Sequence, residues 1–307
     1  MKLSLKLDSD DEKYSSLDKV IFLKILLIGK TGQLGGSIFS NNTFHEIVAP
    51  NRYELDIEDH DSILNMLNEL KPDVVINTAA FHNVPQCEVD IQQAFSVNVI
   101  AVRNLALACK KANILFVTFS TDYVFGGDKN TPYLETDYPM PLQIYGISRL
   151  AGELAVMSVA PENSIIIRTC GLYGLSGATS KGGNFVDKRI VDAKKNLQVE
   201  IGCDQVVSPT FTNDLAIAVL QLIEHLGCKA GIYHLVNRGE CTWYEFTKAI
   251  YEMLGLNSNV LPVDRGGHTG DMRRPLYSVL ANTKASSLGI ELPHWRDALS
   301  RYLKLKY

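Results

Sequence analysis

The stretch Lys24–Gly36, KILLIGKTGQLGG, decides the fold. Ile25–Ile28 is an apolar run too short for a globular helix and closed by a glycine, so it reads as a buried strand. Gly29, Gly32 and Gly35 follow at intervals of three, and Ser37, Ile38 and Phe39 can carry a helix onward. In a strand–turn–helix of this kind the first glycine permits the turn and the second lets backbone approach a pyrophosphate. The third lets the helix lie close against the sheet. The helix N-terminus then offers free N–H groups and its positive dipole end to phosphate. Thr31, Gln33 and Leu34 lie between the glycines and complete the candidate cradle. A glycine triplet alone is common; the strand before it gives it meaning.

Outward from this turn the chain alternates strand and helix. Glu46–Ala49, Asp73–Asn77, Ile114–Phe119 and Ser164–Thr169 read as further strands. Between them lie helical patterns at Asp61–Leu70, Ala94–Ala112 and Tyr145–Met157. Continuous apolar strands separated by helices predict an α/β fold, a doubly wound parallel sheet covered on both faces. After Gly171 the rhythm changes: Gly174–Gly183 is a Gly/Ser-rich loop, Phe185–Lys195 a helix and Gln198–Ile201 a short strand. Thr212–Leu226 is a helix with Thr212 or Asn213 as its cap, followed by a strand at Tyr233–Val236 and helices at Trp243–Leu254 and Trp295–Leu303. These smaller elements predict a cap over the carboxyl ends of the strands, where doubly wound sheets hold their ligands.

Composition narrows the class. A chain of 307 residues, 46% hydrophobic and 21% charged, has ample core for one large or two unequal domains. A net charge of −4 provides no basic field for nucleic acid and no polybasic membrane signal. No segment reaches the roughly 18–20 apolar residues that span a bilayer. The six cysteines show no CxxC pair and read as reduced thiols, which makes the cytoplasm the default compartment. No His/Cys/Asp/Glu cluster has metal-ligand spacing, so no metal is indicated. Residues 1–24 mix lysines and acidic residues with little apolar material and read as a flexible extension.

Four features converge at the strand ends if this reading holds. Arg52, 20 residues after Gly32, suits the 2′-phosphate of NADP where an acidic residue would suit NAD; it reads equally as a solvated loop arginine. Asp56-Ile57 can hold an adenine edge. Asn77-Thr78-Ala79-Ala80 ends the third strand in small residues, which leave room for a cofactor or simply pack closely. Ser120-Thr121 ends the fourth strand, and Tyr145 and Arg149 share one face of the helix that follows. A tyrosine can protonate a carbonyl that is receiving hydride, given a fixed positive charge to lower its pKa from near 10. By pattern alone, a Tyr/Arg pair at this spacing is also an ordinary surface pair.

The segments GKTGQLG, NTAAF, FSTDYVFGG, YGISRLAGE, DQVVSPTFTNDLA, TWYEF and RRPLYS occur in this order across residues 25–299. Together they resemble the extended short-chain dehydrogenase/reductases and, within them, the dTDP-4-dehydrorhamnose reductase family. The resemblance implies a Rossmann domain over 25–170, to which the chain returns around 205–235. It implies a smaller C-terminal α/β substrate-binding domain formed by 171–204 and 236–307. The implied activity is reduction of the 4-keto group of a nucleotide-linked 6-deoxysugar, in cell-surface polysaccharide precursor synthesis. NADPH is the implied cofactor, with NADH as the alternative. Thr121 would position the carbonyl, Tyr145 would donate the proton, and Arg149 would stand where the nicotinamide ribose is oriented. Asn98 and Ser120 match cofactor-side positions; Val84, Asn184, Phe185 and Arg274 match positions lining the substrate or its diphosphate. A homodimer is left open.

The departures carry information too. The family motif is Tyr-x-x-x-Lys, and Arg149 replaces the lysine with a longer, planar cation, so altered catalysis is the expectation. Cys170-Gly171 stands where an aromatic usually follows the Arg-Thr pair, removing an apolar wall near the substrate. Val84-Pro85 replaces a valine–aspartate step, and His82 in the same loop reads as structural or solvent-facing. Two rival readings remain. One is a non-catalytic cofactor-binding subunit, as in the methionine adenosyltransferase β subunit, which resembles the same branch. The other is an epimerase or dehydratase, which would want a carboxylate beside Thr121; Asp122 is there, but STDYVF is also the plain reductase form.

Overall fold

The computed structural model describes residues 21–176, 183–195, 197–225, 227–257, 259–270 and 272–307. Strand β1 (Lys24–Ile28) leads into helix α1 (Gln33–Asn41), β2 (Glu46–Val48), α2 (His60–Leu70) and β3 (Val74–Asn77). Then come the short helices α3 (Val84–Val89) and α4 (Ile91–Phe95), a π-helical segment Ser96–Ala101, α5 (Val102–Lys111) and β4 (Leu115–Thr121). Helix α6 (Ile144–Val159) and β5 (Ser164–Thr169) complete the regular alternation. Helices α7 (Phe185–Lys194), α8 (Thr212–Glu224) and α9 (Trp243–Leu254) follow, the strand Gly231–His234 lies between the last two, and Trp295–Lys306 is the final helix.

The central sheet has six strands in the order Gly231–His234, β5, β4, β3, β1, β2, every pair parallel. Alternation along each strand sends side chains to both faces. Ile25 and Leu27 pack beneath α1 and α8, whereas Leu26 and Ile28 face α2, α5 and α6. Burial on both faces is why β1 reads as an unbroken apolar run, and the doubly wound expectation is borne out. A separate core of Tyr173, Phe211, Phe246, Trp295 and Tyr302 holds α7, α9 and the last helix together.

Several local expectations are corrected. Lys24 is part of β1 and its amide donates to Asp73, so the extension ends before it; residues 1–20 lie outside the described residues. The Gly174–Gly183 loop lies largely outside them too. The single helix expected at Ala94–Ala112 is widened into a π-turn over Ser96–Ala101, where Asn98 is drawn toward the backbone of Phe81. The stretch FHNVPQCE is not all loop: Pro85 opens a short helix in its first turn, where the missing N–H costs nothing. Helix α8 is capped by neither Thr212 nor Asn213. Both side chains bond the Ser37 hydroxyl on α1 instead, at 2.7 and 3.0 Å.

Candidate active site

The turn after β1 is built by close approach. Gly29 has φ 91°, and a Cβ at Gly35 would lie 2.3 Å from the Gly29 carbonyl oxygen, so α1 can leave the sheet here only as glycine. Beside this turn opens a cavity of about 490 Å³. Gly29, Thr31 and Gly32 line it from the first turn, Arg52, Asp56 and Ile57 from the segment after β2, and Ala79 and Ala80 from the end of β3. Lys30, Glu58, Phe81, His82, Gln93 and Val97 line it as well; the sequence reading named none of these six as a cofactor contact, and His82, read there as structural or solvent-facing, stands on the cavity wall.

The residues fit a dinucleotide. Gly32 caps α1 without any side-chain hydrogen bond, leaving the first helical N–H groups for an anion. A Cβ there would touch only the Gly29 carbonyl, at 3.3 Å, so the glycine leaves space on the cavity side. The Gln33 Oε1 is a buried acceptor with no partner. The Arg52 side chain is 78% exposed and uses only its Nε, 3.3 Å from Asp56 Oδ2, so its terminal nitrogens remain available to a phosphate. Leu34 and Gly35 support the cradle from behind: Leu34 is in the core and Gly35 abuts the turn. Asn98 is set apart from this cavity, in the α6 interface described next.

Two glycines bring α6 onto the strand ends. A Cβ at Gly146 would lie 2.2 Å from the Tyr123 carbonyl oxygen, and one at Gly152 would lie 2.2 Å from that of Asn98. The helix start is held by Gln143, which accepts from the Gly146 amide at 2.8 Å, and by Glu88 on α3, which accepts from the Ile144 amide at 2.7 Å. These contacts set Tyr145 beside the end of β4. Its ring meets Tyr123 edge-on at 6.2 Å, and its hydroxyl is turned toward Thr121. Burial pushes the Tyr145 phenol up, while the Arg149 charge and the Thr121 hydroxyl pull it down; burial wins, so the phenol holds its proton at neutral pH. Arg149 is buried, and its Nη1 donates to Asn98 Oδ1 at 3.3 Å. Asn98 in turn grips Phe81 N–H and C=O and the Ser148 hydroxyl, so the π-turn is what seats the guanidinium. Ser120 is buried with an unpartnered hydroxyl.

The expected substrate-side residues divide. Arg274 is half-buried; burial pushes the nearby Tyr123 phenol up and the Arg274 charge opposes it only in part, while Arg273 is exposed. Phe185 packs against Trp243 with ring centroids 4.7 Å apart and the planes tilted by 42°. Trp243 also abuts Gly171, where a Cβ would sit 3.2 Å from Cη2, so an aromatic from α9 stands next to the position that lost its own. The Asn184 side chain is committed to packing: it caps α7 through Asp187 N and donates to Gly174 O and Tyr302 Oη. Val84 begins α3 and is half-buried. Asp122 is 3% exposed and spends its oxygens on Thr121, Cys170 and Ser278, which argues against an acid–base carboxylate for dehydration.

A doubly wound sheet with a phosphate cradle and a Thr/Tyr/Arg cluster at its carboxyl edge defines a Rossmann-fold oxidoreductase. A family model described as the RmlD substrate binding domain matches residues 23–307. The chain is 37% identical to the spore coat polysaccharide biosynthesis protein SpsK of Bacillus subtilis, over 92% of this chain and 97% of that one. It is 35% identical to the dTDP-4-dehydrorhamnose reductase of Aggregatibacter actinomycetemcomitans, over 90% of this chain and 97% of the other. The crystal structure of dTDP-4-dehydrorhamnose reductase from Bacillus anthracis in complex with NADP superposes with a TM-score of 0.87 at 32% identity, covering 93% and 100% of the two chains. This chain belongs to the dTDP-4-dehydrorhamnose reductase family.

Proposed function

We propose that this protein reduces the 4-keto group of a dTDP-linked 6-deoxysugar with NADPH, in the synthesis of a cell-surface polysaccharide precursor. One observation carries the reading: the half-buried Tyr145, with Arg149 buried one turn on, stands against Thr121 at the strand ends that also carry the cradle. Bound NADPH would supply the hydride for the carbonyl carbon. Tyr145 gives its phenolic proton to the carbonyl oxygen, and Arg149 stabilises the phenolate left behind. Thr121 hydrogen-bonds the same oxygen. Arg52 would hold the 2′-phosphate, Asp56 and Ile57 the adenine, and Gly29, Thr31, Gly32 and Gln33 the pyrophosphate. Phe185 and Arg274 flank the nucleotide-sugar, Arg274 as a cation for its diphosphate.

The same reading assigns residues 25–170 and 205–235 to cofactor binding and 171–204 and 236–307 to the substrate. The aromatic core of Tyr173, Phe246, Trp295 and Tyr302, joined by Phe211 from the 205–235 segment, supports the division. It includes action in the cytoplasm, supported by six cysteines that are all free thiols. It includes a homodimer, supported by the exposed apolar residues Ile100, Ile147 and Leu154 on adjacent helices.

The test is NADPH oxidation by the purified protein with a panel of nucleotide 4-keto-6-deoxysugars, followed at the nicotinamide absorbance. Turnover on a dTDP-linked member, abolished by Tyr145→Phe, supports the reading. Tight NADPH binding with no turnover on any sugar refutes it in favour of a cofactor-binding subunit, the alternative that Arg149 invites.

A further inference from the structure

The chain has two tryptophans, and the fold treats them differently. Trp295 is 3% exposed inside the aromatic core, and its Nε1–H donates to the Glu240 carbonyl at 3.2 Å. Trp243 is half-buried, and its Nε1–H has no partner among the described residues. Buried tryptophans ordinarily satisfy that N–H, so an indole left partly open with its donor unspent has something to offer a ligand.

The ring is firmly placed. Trp243 opens α9 behind a capping box: the Glu245 amide donates to Thr242 Oγ1 at 3.1 Å, and the Thr242 amide to Glu245 Oε2 at 2.8 Å. The preceding pair Cys241–Thr242 runs antiparallel to Val206–Val207. Phe185 and Phe246 pack against the indole at centroid distances of 4.7 and 6.1 Å. Trp243 therefore joins two cores. One is the aromatic core around Tyr173 and Trp295; the other contains Val124, Cys170, Val207 and Val279 and is also covered by Leu150 of α6. It stands where the C-terminal elements meet the sheet, a usual place for a ligand crevice.

Its far edge reaches the catalytic end of the strands. Gly171 lies two residues beyond Thr169, and Thr169 is the register partner of Thr121. Gly171 has φ 56°, and a Cβ there would lie 3.2 Å from both Trp243 Cη2 and Pro209 Cα. A side chain at position 171 would be strained and would push the indole or the backbone aside, so the apolar surface at this spot comes from α9.

We propose that Trp243 is a specificity-determining residue: its indole face forms the wall against which the sugar ring of the substrate packs, with the Nε1–H available to a ring hydroxyl. This rests on the reductase reading above. The ring carbon being reduced, C4, adjoins C5, which bears the methyl group of a 6-deoxysugar. A wall one strand over from Thr121 meets that part of the ring, not the distant base. The indole offers a broad apolar face to the C–H side of a pyranose and to the methyl group.

Tryptophan emission and steady-state kinetics on the full chain test this. In Trp295→Phe, Trp243 is the single tryptophan of the chain, so emission reports this site alone. Titration with dTDP-rhamnose should change that emission saturably, and dTDP at the same concentrations should leave it nearly unchanged. Should Trp295→Phe fail to fold, the difference between native and Trp243→Phe spectra gives the same readout, because Trp295 is common to both. Trp243→Ala should raise KM for the sugar about tenfold while kcat and KM for NADPH change by about twofold or less. Trp243→Phe keeps a ring and should recover most of the loss. The proposal is overturned if dTDP-rhamnose leaves the indole silent, or if dTDP alone produces the whole response. It is also overturned if Trp243→Ala lowers kcat, or raises KM for NADPH, as much as it raises KM for the sugar. The emission arm needs no turnover. An indole that responds to dTDP-rhamnose in a protein that reduces no sugar sinks the reductase reading and keeps the wall; turnover beside a silent indole does the reverse.

Discussion

Gly146→Ala puts the geometry of α6 to a quantitative test. At an exposed position inside a helix, replacing glycine by alanine gains about 1 kcal/mol. At Gly146 the new methyl would lie 2.2 Å from the Tyr123 carbonyl oxygen and 2.6 Å from Gln143 Oε1, well inside the 3.4 Å at which such contacts become ordinary. The first neighbour is backbone and cannot rotate away, so α6 and the turn after β4 must part by about 1 Å. Overpacking of this kind costs about 1–3 kcal/mol, and disturbing the Gln143 cap adds about 1 kcal/mol. The propensity gain is outweighed, and the net loss is about 1–3 kcal/mol. The catalytic effect is larger, because the displaced residues are Tyr145 and Thr121: a misplacement of about 1 Å costs about a hundredfold in rate. The assay is urea unfolding followed by steady-state kinetics, with Gly152→Ala, whose methyl meets the Asn98 carbonyl at 2.2 Å, as the parallel variant. Stability equal to or above the native chain, with unchanged kcat, would refute this account of how Tyr145 is placed.

Other perturbations report on other contacts. Arg52→Ala removes an exposed cation from the cavity wall and should raise KM for NADPH about tenfold or more while sparing NADH, because a charge-assisted phosphate contact contributes about 1.5–3 kcal/mol; equal effects on both cofactors would exclude a 2′-phosphate role. Arg149→Met removes the charge that opposes burial at Tyr145, so kcat should fall at least about tenfold and the alkaline limb of the pH profile should move to higher pH. Arg149→Lys keeps the charge and should stay closer to native; a loss as large as in the methionine variant would show that the Asn98-bound guanidinium fork, not charge, is required. His234 is buried, donates Nδ1–H to Tyr133 O or Ala281 O at 3.2 Å, and is held down to about 3 by desolvation. Its folded pKa lies below the unfolded value near 6.5, so the stability tied to the neutral ring is present above that value and lost as pH falls toward 3. The slope is at most about 1.4 kcal/mol per pH unit, and His234→Gln should flatten it in urea titrations between pH 6 and 4.

Much of this was legible in the linear chain because its signals are local. Four consecutive apolar residues ending at Gly29 have one comfortable home, a strand buried on both faces, and the glycine spacing then dictates a turn into a helix. Tyr145 and Arg149 share a helix face because 3.6 residues make a turn. The misjudged places are those where a neighbour outbid the local preference. Thr212 and Asn213 look like caps but bond Ser37, and Asn184 reads as a ligand contact but is occupied as a cap with Tyr302 behind it. The π-turn at Asn98 could not be read from periodicity, since Phe81 and Gly152 impose it from other parts of the chain.

The sequence by itself determined the alternation of the doubly wound sheet and the strand–turn–helix at its start, because those signals lie in residues a few positions apart; Tyr145 and Arg149 were singled out by the family resemblance, since by spacing alone they read equally as a surface pair. Only the tertiary structure decided which side chains meet them. In the sequence Asp122 stands only as a carboxylate beside Thr121; the fold brings Cys170 and Ser278, 48 and 156 residues away, to donate to it. Such convergence arises from packing in three dimensions, which no spacing rule singles out.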